Sequence, residues 1–170
     1  MEKLTQIITS ILEKFLTVLM ALIVIDVTWQ IFTRFVMRDP SSFTEELAGF
    51  LLIWIGLLGA SYALYTRAHL GIDILTHKLT GTKRRISEIT IYTIVLLFAL
   101  IVLVIGGMKL VLLTLQLNQI SPALGIAMGY VYMVLPLTGI LMMYYSIVFI
   151  VRALGGAYDD VQAHSVSSVD

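Results

Sequence analysis

Asp26, Gln30 and Arg34 recur at four-residue intervals inside a long apolar stretch, and Trp29 and Thr33 lie on the same helical face. An acid, an amide and a guanidinium in one stripe could relay a proton or an ion. The same stripe could equally be a buried polar seam that fixes helix packing, within this chain or against a partner. An unpaired Asp at mid-membrane costs ~2.5–3.5 kcal/mol on insertion scales, so the stripe should face protein or water rather than lipid. The packing reading is the stronger one, because no second mid-membrane acid continues a relay. Ten residues separate Arg34 from Glu45 and Glu46. That short connection predicts a salt bridge across a helical hairpin, with a structural role.

His69, Asp73 and His77 also recur every four residues. Two imidazoles and a carboxylate can ligate a metal, but histidines eight residues apart are ~12 Å apart along a helix axis. The wet face of an interfacial segment is the better reading. The chain has no Cys, which excludes disulfides, thiolate nucleophiles, zinc clusters and Cys-ligated iron–sulfur centres. Haem would need facing histidines on separate membrane-crossing helices, and the long apolar stretches contain none. No phosphate-binding loop, hydrolase triad or Glu-x-x-His pair is present. The expectation is no enzyme and no cofactor.

The elements that position these residues follow from composition. Of 170 residues, 59% are hydrophobic and 13% charged, and mean hydropathy is +0.96. Average globular usage is about 45–50% apolar and about 25% charged, so a soluble fold of this size could not hide so much apolar side chain. Formal net charge is zero, and a nucleic-acid partner is not expected. A helix needs roughly 20 apolar residues to cross the bilayer. Four stretches qualify, at about 15–36, 43–65, 86–109 (with a weaker continuation to Leu117) and 122–151. The fold class expected is an all-α membrane protein of four transmembrane helices over residues 15–152.

The punctuation agrees. Asp39-Pro40-Ser41-Ser42 separates the first two spans, and Ser42 with Glu45 reads as a capping box. Gly81-Thr82-Lys83-Arg84-Arg85 is a charged turn. Ser121 and Pro122 read as the N-cap and first position of the fourth span, and Pro136 predicts a kink within it. Small residues at four-residue spacing, Gly56 with Ala60 and Gly125 with Gly129, suit close helix approach. Trp29 and Trp54 suggest packing surfaces, and most tyrosines, among them Tyr92 and Tyr145, read as interfacial anchors.

Lysine and arginine set the orientation. Lys3, Lys14, Arg67, Lys78, Lys83, Arg84, Arg85 and Arg152 share one side, against Arg34, Arg38 and Lys109 on the other. Eight against three places both termini and the central loop in the cytoplasm. No cleavable signal peptide is expected, since a positive n-region is lacking and the apolar run reaches full span length. Residues 1–14 alternate Leu4, Ile7, Ile8, Ile11 and Leu12 with polar positions. This predicts an amphipathic helix lying along the inner membrane surface. A short interfacial segment is expected between the second and third spans, and residues 153–170 read as a disordered cytoplasmic tail.

Arg34, then Glu45-Glu46-Leu47-Ala48, Trp54, Gly59-Ala60-Ser61-Tyr62-Ala63 and Arg67-Ala68-His69-Leu70-Gly71-Ile72-Asp73 resemble the small membrane subunit, the DctQ-like component, of tripartite ATP-independent periplasmic (TRAP) transporters. The resemblance is sharpest from Arg34 to Asp73 and implies a bacterial inner-membrane protein. It implies a partnership with a large membrane subunit, which holds the substrate and sodium sites and moves like an elevator, and with a periplasmic substrate-binding protein. It further implies sodium-driven uptake of carboxylate-bearing solutes such as sialic acid or dicarboxylates, with the small subunit as a static scaffold in contact with membrane lipids. On that reading Asp26, Trp29, Gln30, Arg34, Glu45, Glu46 and Trp54 serve helix packing or the partner. Arg38, Asp39, Ser41, Ser42, Asn118 and Gln119 form the outer surface offered to the binding protein. The competing readings are a self-sufficient oligomeric transporter or channel with Asp26 as its ionisable centre, and a membrane anchor for an enzyme complex.

Overall fold

The computed structural model describes residues 2–38, 41–66 and 82–154. Helix α1 (Glu2–Phe32) continues through a π-helical turn, π1 (Thr33–Met37). Helix α2 (Ser42–Tyr65) returns across the layer. The third span is composite, with α3 (Thr82–Phe98), π2 (Ala99–Gly106) and α4 (Gly107–Gln116). The fourth is α5 (Met128–Tyr132) followed by α6 (Val134–Leu154). Four helical stretches are long and apolar enough to cross a membrane: Lys3–Met37, Ser42–Tyr65, Arg85–Gln116 and Met128–Leu154.

The spans pack in the order one, two, four, three. α1 lies on α2, α2 on α6, and α6 on α3 and π2. Spans one and three do not pack broadly on each other among the described residues, so the helices form an open row rather than a closed bundle. Span four is the interior. Half of its most apolar window is buried (50%), against 17% in each of the other three. Large apolar side chains therefore face outward over most of the row, as hydrocarbon permits.

Two ends of the row are tied differently. At one end Tyr92 stacks on Phe149, with centroids 4.8 Å apart, and Tyr65 meets Tyr145 at 5.2 Å. Thr5 Oγ1 lies 2.9 Å from Tyr144 Oη, and Thr9 Oγ1 3.1 Å from Tyr145 Oη. Thr9 gives its own proton to the Thr5 carbonyl, so Tyr145 is the donor to Thr9. Arg85 Nη2 donates to the last helical carbonyl, Leu154 O, at 2.7 Å, which satisfies an orphan acceptor and places a cation at the negative end of the helix.

Several expectations are corrected. Residues 2–14 do not form a separate helix. α1 runs unbroken through them, with Thr5, Thr9 and Leu12 buried and Leu4, Ile7 and Ile11 exposed. The threonines have tyrosine hydroxyls to bond, and the exposed apolar side chains suit lipid. Tyr92 and Tyr145 are buried at 4% and 0% exposure; their rings fill the junction of spans two, three and four instead of anchoring its rim. The N-cap of α2 is Ser41, one residue before the expected Ser42, and it makes no side-chain cap bond. Thr44 Oγ1 instead donates back to Ser41 O. Span three keeps its helix through the weaker continuation, as expected, to Gln116. Span four starts at Met128 rather than Pro122, because residues 118–127 form a tight loop. Its interruption falls at Met133, between α5 and α6, one turn before Pro136, whose ring cannot donate to Tyr132 O and crowds it.

Candidate partner-facing site

The buried line along span one is Thr5, Leu12, Leu19, Asp26 and Thr33, with half-buried or buried Thr9, Leu16, Ile23 and Gln30 between them. The steps are alternately three and four residues, a seam of period 3.5 that keeps one helix edge against a neighbour over its full length. Asp26 is thus an interior position of a helix–helix seam. The expected stripe splits. Asp26 and Thr33 point inward, Gln30 is half-buried, and Trp29 (51% exposed) and Arg34 turn outward. Four-residue spacing drifts around a helix that packs on a seven-residue repeat.

Asp26 is 7% exposed, its Oδ2 is buried, and it has no hydrogen-bond partner. It lines a groove of about 350 Å³ between α1 and the first turns of α2, together with Trp29, Phe43, Thr44, Leu47 and Leu51. Thr44 is the other hydroxyl or charged side chain there, and its proton is already given to Ser41 O. A second groove of about 320 Å³, lined by Leu12, Phe15, Trp54, Leu58, Leu137 and others, is apolar. Trp54 meets Phe15 edge-to-face, with centroids 6.3 Å apart, and donates from Nε1 to Val131 O at 3.1 Å, tying α2 to span four.

The expected salt bridge across the first hairpin is absent. Arg34 makes no ion pair with Glu45 or Glu46 among the described residues. Glu46 Oε2 accepts from the backbone N–H groups of Ala123 and Leu124 at 3.0 and 2.9 Å. These amides are presented by the turn at 121–125, in which Gly125 N donates to Ser121 O and Leu124 N to Ser121 Oγ. Two amides already fixed by the turn bind the carboxylate at no cost in side-chain entropy of their own, whereas Arg34 would have to be immobilised at the interface to pair. Glu45 remains exposed. Glu46 therefore joins span two to the loop before span four, a link that sequence spacing gave no means of finding.

The outward positions at this end are Arg38, Ser41, Ser42, Asn118 and Gln119. Arg38 adopts φ 56° and caps π1 through its N–H to Thr33 O. Asn118 adopts φ 47°, and Gln119 is pinned by its N–H to Thr114 O and its O to Met128 N–H. Asp39, His69, Asp73 and His77, like the tail beyond Leu154, lie outside the described residues. No cluster of three or more metal-ligating side chains occurs among the described residues.

Residues 23–156 match the family described as "Tripartite ATP-independent periplasmic transporters, DctQ component". The chain belongs to the DctQ family. It is 30% identical over 144 residues to the sialic acid TRAP transporter small permease protein SiaQ of Vibrio cholerae, covering 85% of this chain and 82% of that protein. It is 33% identical over 98 residues to the C4-dicarboxylate TRAP transporter small permease protein DctQ of Rhodobacter capsulatus, covering 58% and 43%. It is also 27% identical over 115 residues to the sialic acid TRAP transporter permease protein SiaT of Haemophilus influenzae, covering 68% of this chain but 18% of that one. DctQ proteins are small permease subunits that work with a large permease subunit. This DctQ chain is accordingly a multi-pass inner-membrane transporter subunit and not an enzyme.

Proposed function

We propose that this DctQ chain is the static scaffold of a sodium-driven TRAP transporter for carboxylate-bearing solutes, sialic acid foremost. It holds the large subunit in the bilayer, presents Arg38, Ser41, Ser42, Asn118 and Gln119 to the periplasmic binding protein, and keeps both termini in the cytoplasm. The observation that supports this reading is the chemistry of the Asp26 and Trp54 grooves among the described residues. Their linings are apolar, and Asp26 is the one ionisable side chain among them. A carboxylate solute needs cations or clustered donors, whereas these grooves offer hydrocarbon and an acid. The solute and sodium sites accordingly fall to the large subunit. Support for sialic acid comes from the V. cholerae relative, aligned over 85% of this chain.

The membrane anchoring that a scaffold needs follows from helix length. Thirty-five residues of span one reach ~50 Å at 1.5 Å per residue, well beyond the ~30 Å hydrocarbon core. The Thr5–Tyr144 and Thr9–Tyr145 bonds hold its first turns on span four. In liposomes with a sodium gradient and the binding protein, this chain alone should give no sialic acid uptake. The large subunit with this chain should transport, and the large subunit without it should transport poorly. Uptake by this chain alone would overturn the proposal.

A further inference from the structure

We infer that the groove between spans one and two seats a transmembrane helix of the large subunit, and that this helix brings a side-chain hydrogen-bond donor to Asp26. The inference rests on the scaffold reading above and gives it a location and a chemistry. Asp26 is more than nine-tenths buried, has an orphan oxygen, and lines a groove otherwise made of Trp29, Phe43, Thr44, Leu47 and Leu51. A buried polar group without a partner is costly in hydrocarbon, where water cannot supply the missing bond. Among the described residues no donor reaches this oxygen: Thr44 gives its proton to Ser41 O, and neither Trp29 Nε1 nor Gln30 bonds the carboxyl, so the inference assigns the donor to another chain.

Three occupants could cover this groove. A lipid acyl chain would match the apolar walls but offers no donor. A second copy of this chain, packed about a two-fold axis, would have to bring a free donor of its own to Asp26, and the two hydroxyl side chains of this face, Thr44 and Thr33, have already given their protons to Ser41 O and Gln30 O. A helix of the large subunit can provide the donor at the required depth, and membrane helix interfaces use such bonds. Continuity supports it as well. In the H. influenzae permease the stretch matching this chain makes up 18% of one longer polypeptide, so small-subunit and further permease sequence share a chain there. The groove is lined only by residues of spans one and two, and span one is an end member of the row. Trp29 and Phe43 flank Asp26 at 51% and 45% exposure, and supply the large aromatic surface an apolar helix would cover.

The absence of Cys makes the test direct. Trp29→Cys, Phe43→Cys and, as a control on span three, Ile101→Cys (58% exposed in the wild type) are each labelled with a thiol-reactive photo-crosslinker in membranes containing the whole transporter. Crosslinks to the large subunit should form from positions 29 and 43 and not from 101. In parallel, Asp26→Leu should weaken retention of the large subunit in detergent roughly three- to twentyfold, the effect of losing one interhelical membrane hydrogen bond of about 0.6–1.7 kcal/mol. Asp26→Asn, which keeps an acceptor oxygen, should retain most of it. Crosslinks from 29 and 43 only to lipid or to a second copy, with the large subunit still co-purifying, would overturn the inference and leave the scaffold reading standing. Undiminished retention by Asp26→Leu would overturn the donor. Failure of the wild-type chain to co-purify with the large subunit would overturn both.

Discussion

Gly139 sits at a close crossing of spans three and four, and its replacement by Ala tests the packing that organises the row. A Cβ at this position would lie 2.7 Å from Val104 Cγ2, 2.9 Å from Leu103 Cβ and 3.1 Å from Val104 N. Carbon atoms in good contact sit about 3.5–4.0 Å apart, so the shortest approach is too close by at least ~0.8 Å. Val104 Cγ2 could turn away, but Leu103 Cβ and the backbone nitrogen belong to π2 and move only with the span. Over-packing of this kind costs about 1–3 kcal/mol. Gly→Ala within a helix also brings about 1 kcal/mol of favourable propensity, which must be subtracted. Gly59 supplies that correction, because a Cβ there meets nothing within 4 Å. Thermal unfolding of the purified chain in detergent, followed by circular dichroism, should show Gly139→Ala less stable than Gly59→Ala by about 1–3 kcal/mol. Val104→Ala, which removes one of the clashing atoms, should recover part of the loss in the double variant. Equal stability of Gly139→Ala and Gly59→Ala would refute the close crossing and, with it, the assignment of span four as the interior.

Three further outcomes follow from the ties at the two ends of the row. Thr9→Val should cost more than Tyr145→Phe, about 1–3 against about 0.5–1.5 kcal/mol, because the first strands a buried tyrosine O–H and the second removes it; unfolding in detergent ranks them, and the reverse order would refute the donor assignment. Glu46→Ala should speed hydrogen exchange at Ala123 and Leu124 while leaving Thr114–Gln119 protected, and unchanged exchange at 123 and 124 would show that the carboxylate does not hold the turn. With no native Cys to interfere, Arg38→Cys should react with a membrane-impermeant thiol reagent added to intact cells and Lys14→Cys should not; the opposite labelling would invert the topology.

Four membrane-crossing helices, the breaks between the first two and before the fourth, and the DctQ resemblance were all legible from residue type alone. Hydropathy over ~20 residues is a local property, and Gly, Pro and charged turns punctuate it whatever the partners. Burial was not legible. In water, apolar side chains mark the inside, but in a bilayer the lipid is as apolar as the core, so Leu19 inside and Ile25 outside have the same pattern value. What did carry information was Asp26, since an ionisable group at mid-membrane must face protein or water rather than lipid, and it is 7% exposed.

The tertiary structure decided the rest. It chose the order one, two, four, three, put Tyr92 and Tyr145 inside, and gave Glu46 to the amides of Ala123 and Leu124 in place of Arg34. Each of these is a choice among partners far apart in the chain, 77 and 78 residues in the case of Glu46. Sequence spacing along one helix or hairpin states which groups could meet. Which of them do meet depends on what the other spans place opposite, and that is settled only when all four are packed together.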